Sequence, residues 1–123
     1  MGYYSEVALA MPESELNALA VQCAGVEYSV FDHVDSKTWF ERTDVDFYDD
    51  ENDNTQKWVL IRWNHIKWNP FLNETIQIVE DYLDEEKGPF EFLRLGEDVD
   101  VENRSCGVDN EVLGIKAEIE VYI

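Results

Sequence analysis

The residues with the most chemical potential in this sequence are its carboxylates, which gather in three clusters. The clusters span residues 41–53, 80–86 and 97–111. Carboxylates can ligate metal ions, transfer protons in catalysis, or attract a cationic partner. These roles require different spacings, so the spacing within each cluster helps to discriminate among them.

Calcium binding is the first role to examine in an acid-rich sequence. An EF-hand loop requires glycine at its sixth position and glutamate at its twelfth. A loop that starts at Asp44 has Asp49 and Thr55 at these positions, and the register that starts at Asp49 fails as well. The sequence therefore predicts no EF-hand, and an irregular metal site within residues 98–102 stays open as an alternative.

Catalytic motifs are the second possibility. His33 and His65 are the two histidines, and Cys23 and Cys106 are the two cysteines. Their spacing supports neither a Cys–His pair nor a zinc site, and both cysteines are predicted to be free thiols. The sequence also has no glycine-rich phosphate loop and no nucleophile elbow. We therefore predict no enzymatic activity, no bound metal and no cofactor.

The overall charge predicts the kind of partner. The chain has 28 acidic and 9 basic residues, which gives a net charge of −19. Affinity for DNA, RNA and anionic membranes comes from lysine and arginine, so direct binding to any of these is not expected. Apolar residues make up 45% of the chain and aromatic residues 13%, enough for a packed core. The charge therefore favours a basic protein partner.

The second cluster lies in an unfavourable place for helix stability. Asp81, Asp84, Glu85 and Glu86 are predicted at the C-terminal end of a helix, where the helix dipole favours cations. Each exposed acid there costs about a few tenths of a kcal/mol. We therefore predict these four residues as a partner-binding surface, and a merely solubilising face is the alternative.

The first cluster suggests a geometric role. Asp44 and Asp46 point the same way from a predicted strand, about 6.6 Å apart at about 3.3 Å per residue. Asp49 and Asp50 extend the negative charge into the following turn. Carboxylates in such rows can resemble a phosphate backbone to a DNA-binding protein. These four residues are predicted to belong to the partner-binding surface, as in a DNA mimic.

Hydrophobic periodicity predicts the elements that carry these clusters. Strands are predicted over 3–11, 27–31, 43–48, 57–63, 90–95 and 114–123, with a first helix over 13–24 and an acidic loop over 97–110. A second helix is predicted to begin at the Asn69-Pro70 cap, with an apolar stripe formed by Leu72, Ile76, Val79 and Leu83. The pattern predicts one α+β domain over residues 1–123. Its sheet is mostly antiparallel with two helices on one face, a ferredoxin-like β-α-β-β-α-β core with extra strands.

Two stretches of the sequence carry a resemblance to a known group of proteins. They are Trp-Asn-His-Ile-Lys-Trp at 63–68 and Phe-Glu-Phe-Leu-Arg-Leu-Gly-Glu-Asp at 90–98. With the tyrosine-rich N-terminal strand, they resemble small acidic proteins encoded by phages and prophages, over most of the chain. The resemblance implies a host-takeover or counter-defence role, because many such proteins block restriction enzymes or CRISPR complexes. It carries over no catalytic residue.

These observations combine into one expected function. We expect a non-enzymatic inhibitor of the anti-CRISPR or anti-restriction type, which binds a basic, nucleic-acid-binding host defence protein through acidic surfaces. The chain has no signal peptide or membrane-length apolar run, so a cytoplasmic location is expected. Two alternatives stay open: an immunity protein or antitoxin that neutralises a basic toxin, and an acid-rich metal-binding module or small enzyme. The sequence does not decide the oligomeric state.

Overall fold

A computed structural model describes residues 4–42, 56–96 and 101–108 of the chain. In chain order, its elements are strand β1 (Ser5–Pro12), helix α1 (Glu13–Gln22), a 3-10 helix (Val30–Asp32), strand β2 (Ser36–Arg42), strand β3 (Gln56–Ile66), helix α2 (Glu74–Asp84), strand β4 (Phe90–Gly96) and strand β5 (Val101–Cys106). Neither α-helix in this part of the chain is long and apolar enough to cross a membrane.

The described strands form one five-stranded sheet in the order β2-β3-β1-β4-β5, and every neighbouring pair is antiparallel. The prediction of an α+β domain with an antiparallel sheet and two helices is confirmed. β1 lies at the centre because residues 7–12 are buried without alternation. A strand with apolar side chains on both faces needs neighbours and covering groups on every side.

Both helices pack against the same face of the sheet. The shared core contains Leu9, Ile61 and Phe92 from the strands, Leu16 and Leu19 from α1, and Ile76, Val79 and Leu83 from α2. The two helices are also joined at their surfaces, where the Tyr82 hydroxyl donates a hydrogen bond to the Glu15 carboxylate. Gly88 lies against this pair, and a Cβ atom at this position would overlap both side chains. This packing fixes the position of α2 on the sheet.

The opposite face of the sheet has a smaller core. It is formed by Trp58 and Leu60 of β3, Ala8 and Ala10 of β1, and Leu93 of β4. Arg42 and Glu91 form an ion pair beside it, with side chains only 3% and 1% exposed. The Arg42 guanidinium lies 4.6 Å from the centre of the Trp58 ring. A buried charge pair is costly to desolvate unless its hydrogen bonds are made, so this face depends on both partners.

Two predictions for residues 27–48 differ from the structure. The strand predicted over 27–31 is wrong, because residues Val30–Asp32 form a 3-10 helix whose N-cap, the Ser29 hydroxyl, accepts a hydrogen bond from the N–H of Phe31. Strand β2 was not predicted, since the adjacent Trp39 and Phe40 break apolar alternation on an exposed edge strand. The strands predicted over 43–48 and 114–123 lie outside the described residues.

The acidic loop predicted over 97–110 is wrong for the residues that form β5. This strand pairs with β4 along its whole length, from Val101 to Cys106. It shows no apolar alternation because an arginine occupies its inner face. Arg104 lies 6.0 Å from the centre of the Phe92 ring, so its guanidinium covers an aromatic side chain of the core.

Helix α2 begins later than predicted. Its N-cap is Asn73, whose side-chain oxygen accepts hydrogen bonds from the N–H groups of Thr75 at 2.9 Å and Ile76 at 3.3 Å. Asn69 instead accepts a bond from the N–H of Phe71 and closes a turn before the helix. Leu72 therefore lies outside the helix, and the predicted apolar stripe begins at Ile76.

Candidate partner-binding surface

Four of the eight predicted partner-binding residues come together where α2 ends. Asp81, Asp84, Glu85 and Glu86 are all exposed, and we call these four residues the α2 acidic surface. The other four, Asp44, Asp46, Asp49 and Asp50, lie outside the described residues. Within the described residues, the candidate site is therefore the α2 acidic surface.

The backbone at this end of α2 satisfies its own carbonyl groups. The N–H of Lys87 donates to the carbonyl of Tyr82, and the N–H of Glu86 donates to that of Leu83. This pair of bonds is a Schellman motif, which places its C′ residue in the left-handed region. Here that residue is Glu86, with φ of 49°, where glycine is usual. The last turn of α2 contains no basic residue.

Arg104 of β5 supplies a positive charge that α2 itself lacks. Its guanidinium lies 2.8 Å from the Glu80 carboxylate and 2.5 Å from that of Asp84. Burial by itself would lower the pKa of Arg104, but hydrogen bonds and charge from Glu80 and Asp84 outweigh this effect and raise the pKa. The sequence analysis missed Arg104, because it placed this residue in a loop.

The remaining acids of the surface have exposed partners. Lys87 lies 3.0 Å from Glu85, and the Gln77 amide donates to Asp81 at 2.8 Å. An exposed ion pair of this kind contributes about 0–1 kcal/mol and is screened by salt. Because all four residues are exposed, their carboxylates remain accessible to water or to a partner.

A thiol completes the surroundings of the α2 acidic surface. Cys106 of β5 donates a weak hydrogen bond to the Glu86 carboxylate over 3.7 Å. Burial raises the pKa of the Cys106 thiol, and the negative charge of Glu86 raises it further. The thiol therefore stays protonated at neutral pH, which disfavours nucleophilic chemistry.

The charge balance at this end of α2 is strongly negative. Within the described residues, five carboxylates (Glu80, Asp81, Asp84, Glu85 and Glu86) are accompanied by two cations (Lys87 and Arg104). A cluster of one sign raises the local concentration of oppositely charged partners and speeds their association. The arrangement can therefore attract a cationic surface over a distance.

Of the residues considered for catalysis or metal binding, His65, Cys23 and Glu102 have structural contacts, His33 is exposed, and residues 98–100 lie outside the described residues. The His65 ring stacks on Tyr4 with 4.0 Å between centroids, and Cys23, the C-cap residue of α1, is buried. Glu102 lies 3.9 Å from Arg94. Across residues 4–42, 56–96 and 101–108, no group of three His, Cys, Asp or Glu side chains has the geometry to hold a metal ion.

The structure also displays an apolar feature that the sequence analysis missed. Tyr28, Phe71 and Leu72 are exposed by 74%, 91% and 70%, and we call these three residues the apolar tip. They lie on adjoining loops, since the Asn73 side chain donates a hydrogen bond to the carbonyl of Tyr28. The available signal was Asn73 as a competing helix cap, which would have removed Leu72 from the helical stripe.

Comparisons with known proteins identify no relative. No protein-family model, no curated protein and no solved structure matches this chain.

Proposed function

We propose that this chain is a non-enzymatic binding protein that docks its acidic surface onto a basic protein. One observation carries this proposal: five carboxylates and two cations surround the end of α2, where helix stability favours cations. Glu80 and Asp84 pair with Arg104, but helix stability does not favour the exposed acids Asp81, Glu85 and Glu86 at these positions. Recognition of a positively charged partner would account for them.

The partner class follows from the sign and density of the charge. A protein that binds DNA or RNA presents lysine and arginine to phosphates, and a surface rich in carboxylates can compete for those groups. The resemblance to small phage proteins points to a host defence complex, such as a restriction enzyme or a CRISPR complex. The chain would act as its inhibitor in the cytoplasm of the host cell, with DNA mimicry as the mode of binding.

Inhibition by this route requires no catalysis. A docked acidic protein would occupy the cationic groove and exclude the nucleic acid from it. Because the attraction between charges is screened by salt, the association rate would fall as ionic strength rises. Binding in low salt and release in moderate salt are therefore the expected behaviour.

A charge-reversal variant tests this proposal. Asp81→Lys and Glu85→Lys together reverse charge on the surface, and leave the Asp84–Arg104 ion pair in place. The matched control reverses two exposed acids outside the three acidic clusters, Glu6 and Asp32, and so produces the same net charge.

Binding is measured with proteins captured from host lysate, eluted in a salt gradient and then purified. We expect the surface variant to lose at least tenfold in affinity for a captured nucleic-acid-binding protein, while the control retains most of it. Equal affinity of the two variants would overturn the proposal. Capture of a basic toxin instead would favour the immunity-protein alternative.

We also infer a ferredoxin-like topology for residues 5–96. Two features support it: β1 lies between β3 and β4, and β3 lies between β1 and β2. Since β1 and β2 are each antiparallel to β3, they run in the same direction with one strand between them, as in a split β-α-β unit. Strand β5 is then an addition at the β4 edge. An experimental structure tests this topology.

A further inference from the structure

The apolar tip does not contribute to the core. Tyr28, Phe71 and Leu72 each expose at least 70% of their surface, so their apolar atoms are largely unburied in the folded chain. Single exposed apolar residues are normal, but three large ones on adjoining loops mark a surface for interaction. Tyrosine is enriched among the residues that dominate binding energy, and phenylalanine is enriched in the cores of interfaces.

The loop that carries Phe71 and Leu72 is held in a defined shape. The Asn69 side chain accepts a hydrogen bond from the N–H of Phe71 at 2.9 Å. The Asn69 backbone carbonyl accepts bonds from the N–H groups of Leu72 and Asn73 at 3.1 and 3.2 Å. Because the backbone is already ordered, binding through these side chains loses less conformational entropy than binding through a flexible loop.

The loop that carries Tyr28 is tied to the same place. The carbonyl of Tyr28 accepts a bond from the Asn73 amide at 3.1 Å, and the Thr75 hydroxyl accepts one from the N–H of Val30 at 3.0 Å. Tyr28 has φ of 62°, a left-handed conformation that costs about 1–2 kcal/mol for a residue other than glycine. Tyr28 therefore has a strained backbone although its ring is exposed to water. Backbone strain of this kind clusters at functional positions.

The charges around the apolar tip define the partner's chemistry. Glu27 directly precedes Tyr28, and Glu74 follows two residues after Leu72; both side chains are exposed. Glu74, Gln77 and Asp81 follow at helical spacing and are all exposed, so one face of α2 continues to the α2 acidic surface. The last helical residue, Asp84, is ten steps along the chain from Glu74, about 15 Å at about 1.5 Å per residue. One partner of ordinary interface size covers both regions.

We propose that the apolar tip is the anchor by which this chain holds its protein partner, with Phe71 and Leu72 inserted into an apolar pocket bordered by lysine and arginine. This inference rests on the proposed function for the charge of the partner. The two regions then act on different rates: the α2 acidic surface speeds association, and the apolar tip slows dissociation.

The test compares the full-length chain with two variants. The tip variant combines Phe71→Ser and Leu72→Ser, and the control is Val21→Ser, which changes an equally exposed apolar residue on α1. Both variants are expected to keep the melting temperature of the original chain, since the replaced side chains are not buried. A benzoylphenylalanine at position 71, and another at position 21, report by photocrosslinking which site touches the captured protein.

Dissociation of one purified captured protein is measured at low and high salt. We expect the tip variant to dissociate 10- to 100-fold faster at both salt concentrations, with an unchanged salt slope, while Val21→Ser behaves as the original chain. Crosslinking from position 71 and not from position 21 is expected as well. The charge-reversal variant is expected to change the association rate and the salt slope instead.

The remaining outcomes separate the two proposals. If the tip variant binds normally and the charge-reversal variant does not, the anchor is overturned and the proposed function stands. If the tip variant loses binding and the charge-reversal variant does not, the anchor stands and the electrostatic function fails. If no protein is captured, or if position 71 crosslinks a second copy of this chain, the inference is overturned.

Discussion

The first turn of α2 has a side-chain cap, whereas its last turn has none. At the start, Asn73 accepts hydrogen bonds from two backbone N–H groups and also ties down the loop of Tyr28. At the end, the chain closes on itself through a left-handed Glu86, and the positive charge comes from Arg104 of another strand. The same helix is thus stabilised locally at one end and by tertiary contacts at the other.

This difference shows how a fold can release side chains for binding. At the start of α2, polar side chains satisfy the backbone, so the neighbouring apolar side chains of Phe71 and Leu72 are free to face water. At the end of α2, backbone N–H groups donate to the carbonyl groups, and the acidic side chains, which can only accept hydrogen bonds, take no part in this cap. The start of α2 therefore exposes apolar side chains, and the end of α2 exposes acidic side chains.

Removal of the N-cap should have the largest effect on stability. Asn73→Ala removes the acceptor for Thr75 and Ile76 and the donor to Tyr28, and we expect the free energy of unfolding to fall by about 2 kcal/mol. Asn73→Asp is the matched control, because it keeps the acceptor and loses only the donor. Urea denaturation of both variants measures the difference. If Asn73→Ala lowers the free energy of unfolding no more than Asn73→Asp does, the side-chain oxygen of Asn73 does not act as the cap.

Removal of the positive charge that Arg104 supplies to the end of α2 should have a smaller effect on the free energy of unfolding. Arg104→Met keeps much of the apolar stem but leaves Glu80 and Asp84 without their counter-charge at the end of the helix. Because the group is partly exposed, we expect a loss of about 1 kcal/mol in low salt and less in high salt. Thermal unfolding at two ionic strengths checks this. Arg94→Met, on the neighbouring strand, should show a weaker salt dependence.

Replacement of the left-handed residue should stabilise the chain slightly. Glu86→Gly relieves the conformational cost at φ of 49° and removes a negative charge from the helix end. We expect the free energy of unfolding to rise by about 0.5–1 kcal/mol. Glu85→Gly is the control, since Glu85 is right-handed and glycine there should destabilise the chain. A gain from both substitutions would point to charge alone as the cause.

The smallest expected effect concerns the thiol beside Glu86. Burial and the Glu86 carboxylate raise the pKa of Cys106, so Glu86→Gln should lower that pKa and accelerate alkylation by iodoacetamide a few-fold at pH 8. Because the pKa is higher in the folded chain than in the unfolded one, the thiol's contribution to stability is present at neutral pH and is lost as pH rises through the folded pKa. The measurement is made in a Cys23→Ala variant, so that Cys106 is the thiol that reacts. An unchanged alkylation rate would contradict the role of Glu86.

The central strands were predictable because their sequence reflects their own burial. Residues 57–63 have apolar side chains on both faces, and the structure places them in a strand with neighbours on both sides. The edge strands were less predictable, because β5 is held by Arg104 and by pairing with β4 rather than by an apolar face. The start of α2 was misplaced since two asparagines compete as caps, and tertiary hydrogen bonds to Tyr28 and Val30 decide between them.

For the candidate site, the sequence predicted which acids lie at the end of α2 but not what surrounds them. Asp81, Asp84, Glu85 and Glu86 are exposed in the structure, as helical spacing past a buried stripe suggests. The pairing of Arg104 with Asp84 depends on how β5 lies against α2, which no local pattern specifies. The apolar tip was missed for the same reason, since exposure of Leu72 depends on where the helix begins.

The Arg42–Glu91 pair has a consequence for the fidelity of folding. The two residues belong to β2 and β4, with β3 and β1 between them, so the pair reaches across the sheet on the face where Arg42 lies over Trp58. A slip of β2 by one residue would turn Arg42 to the helix-covered face and leave Glu91 buried without this partner. The pair therefore favours the native register of β2, because any sheet with β2 in a shifted register would lose this ion pair and be less stable. Over evolution, the two positions are expected to change together or not at all.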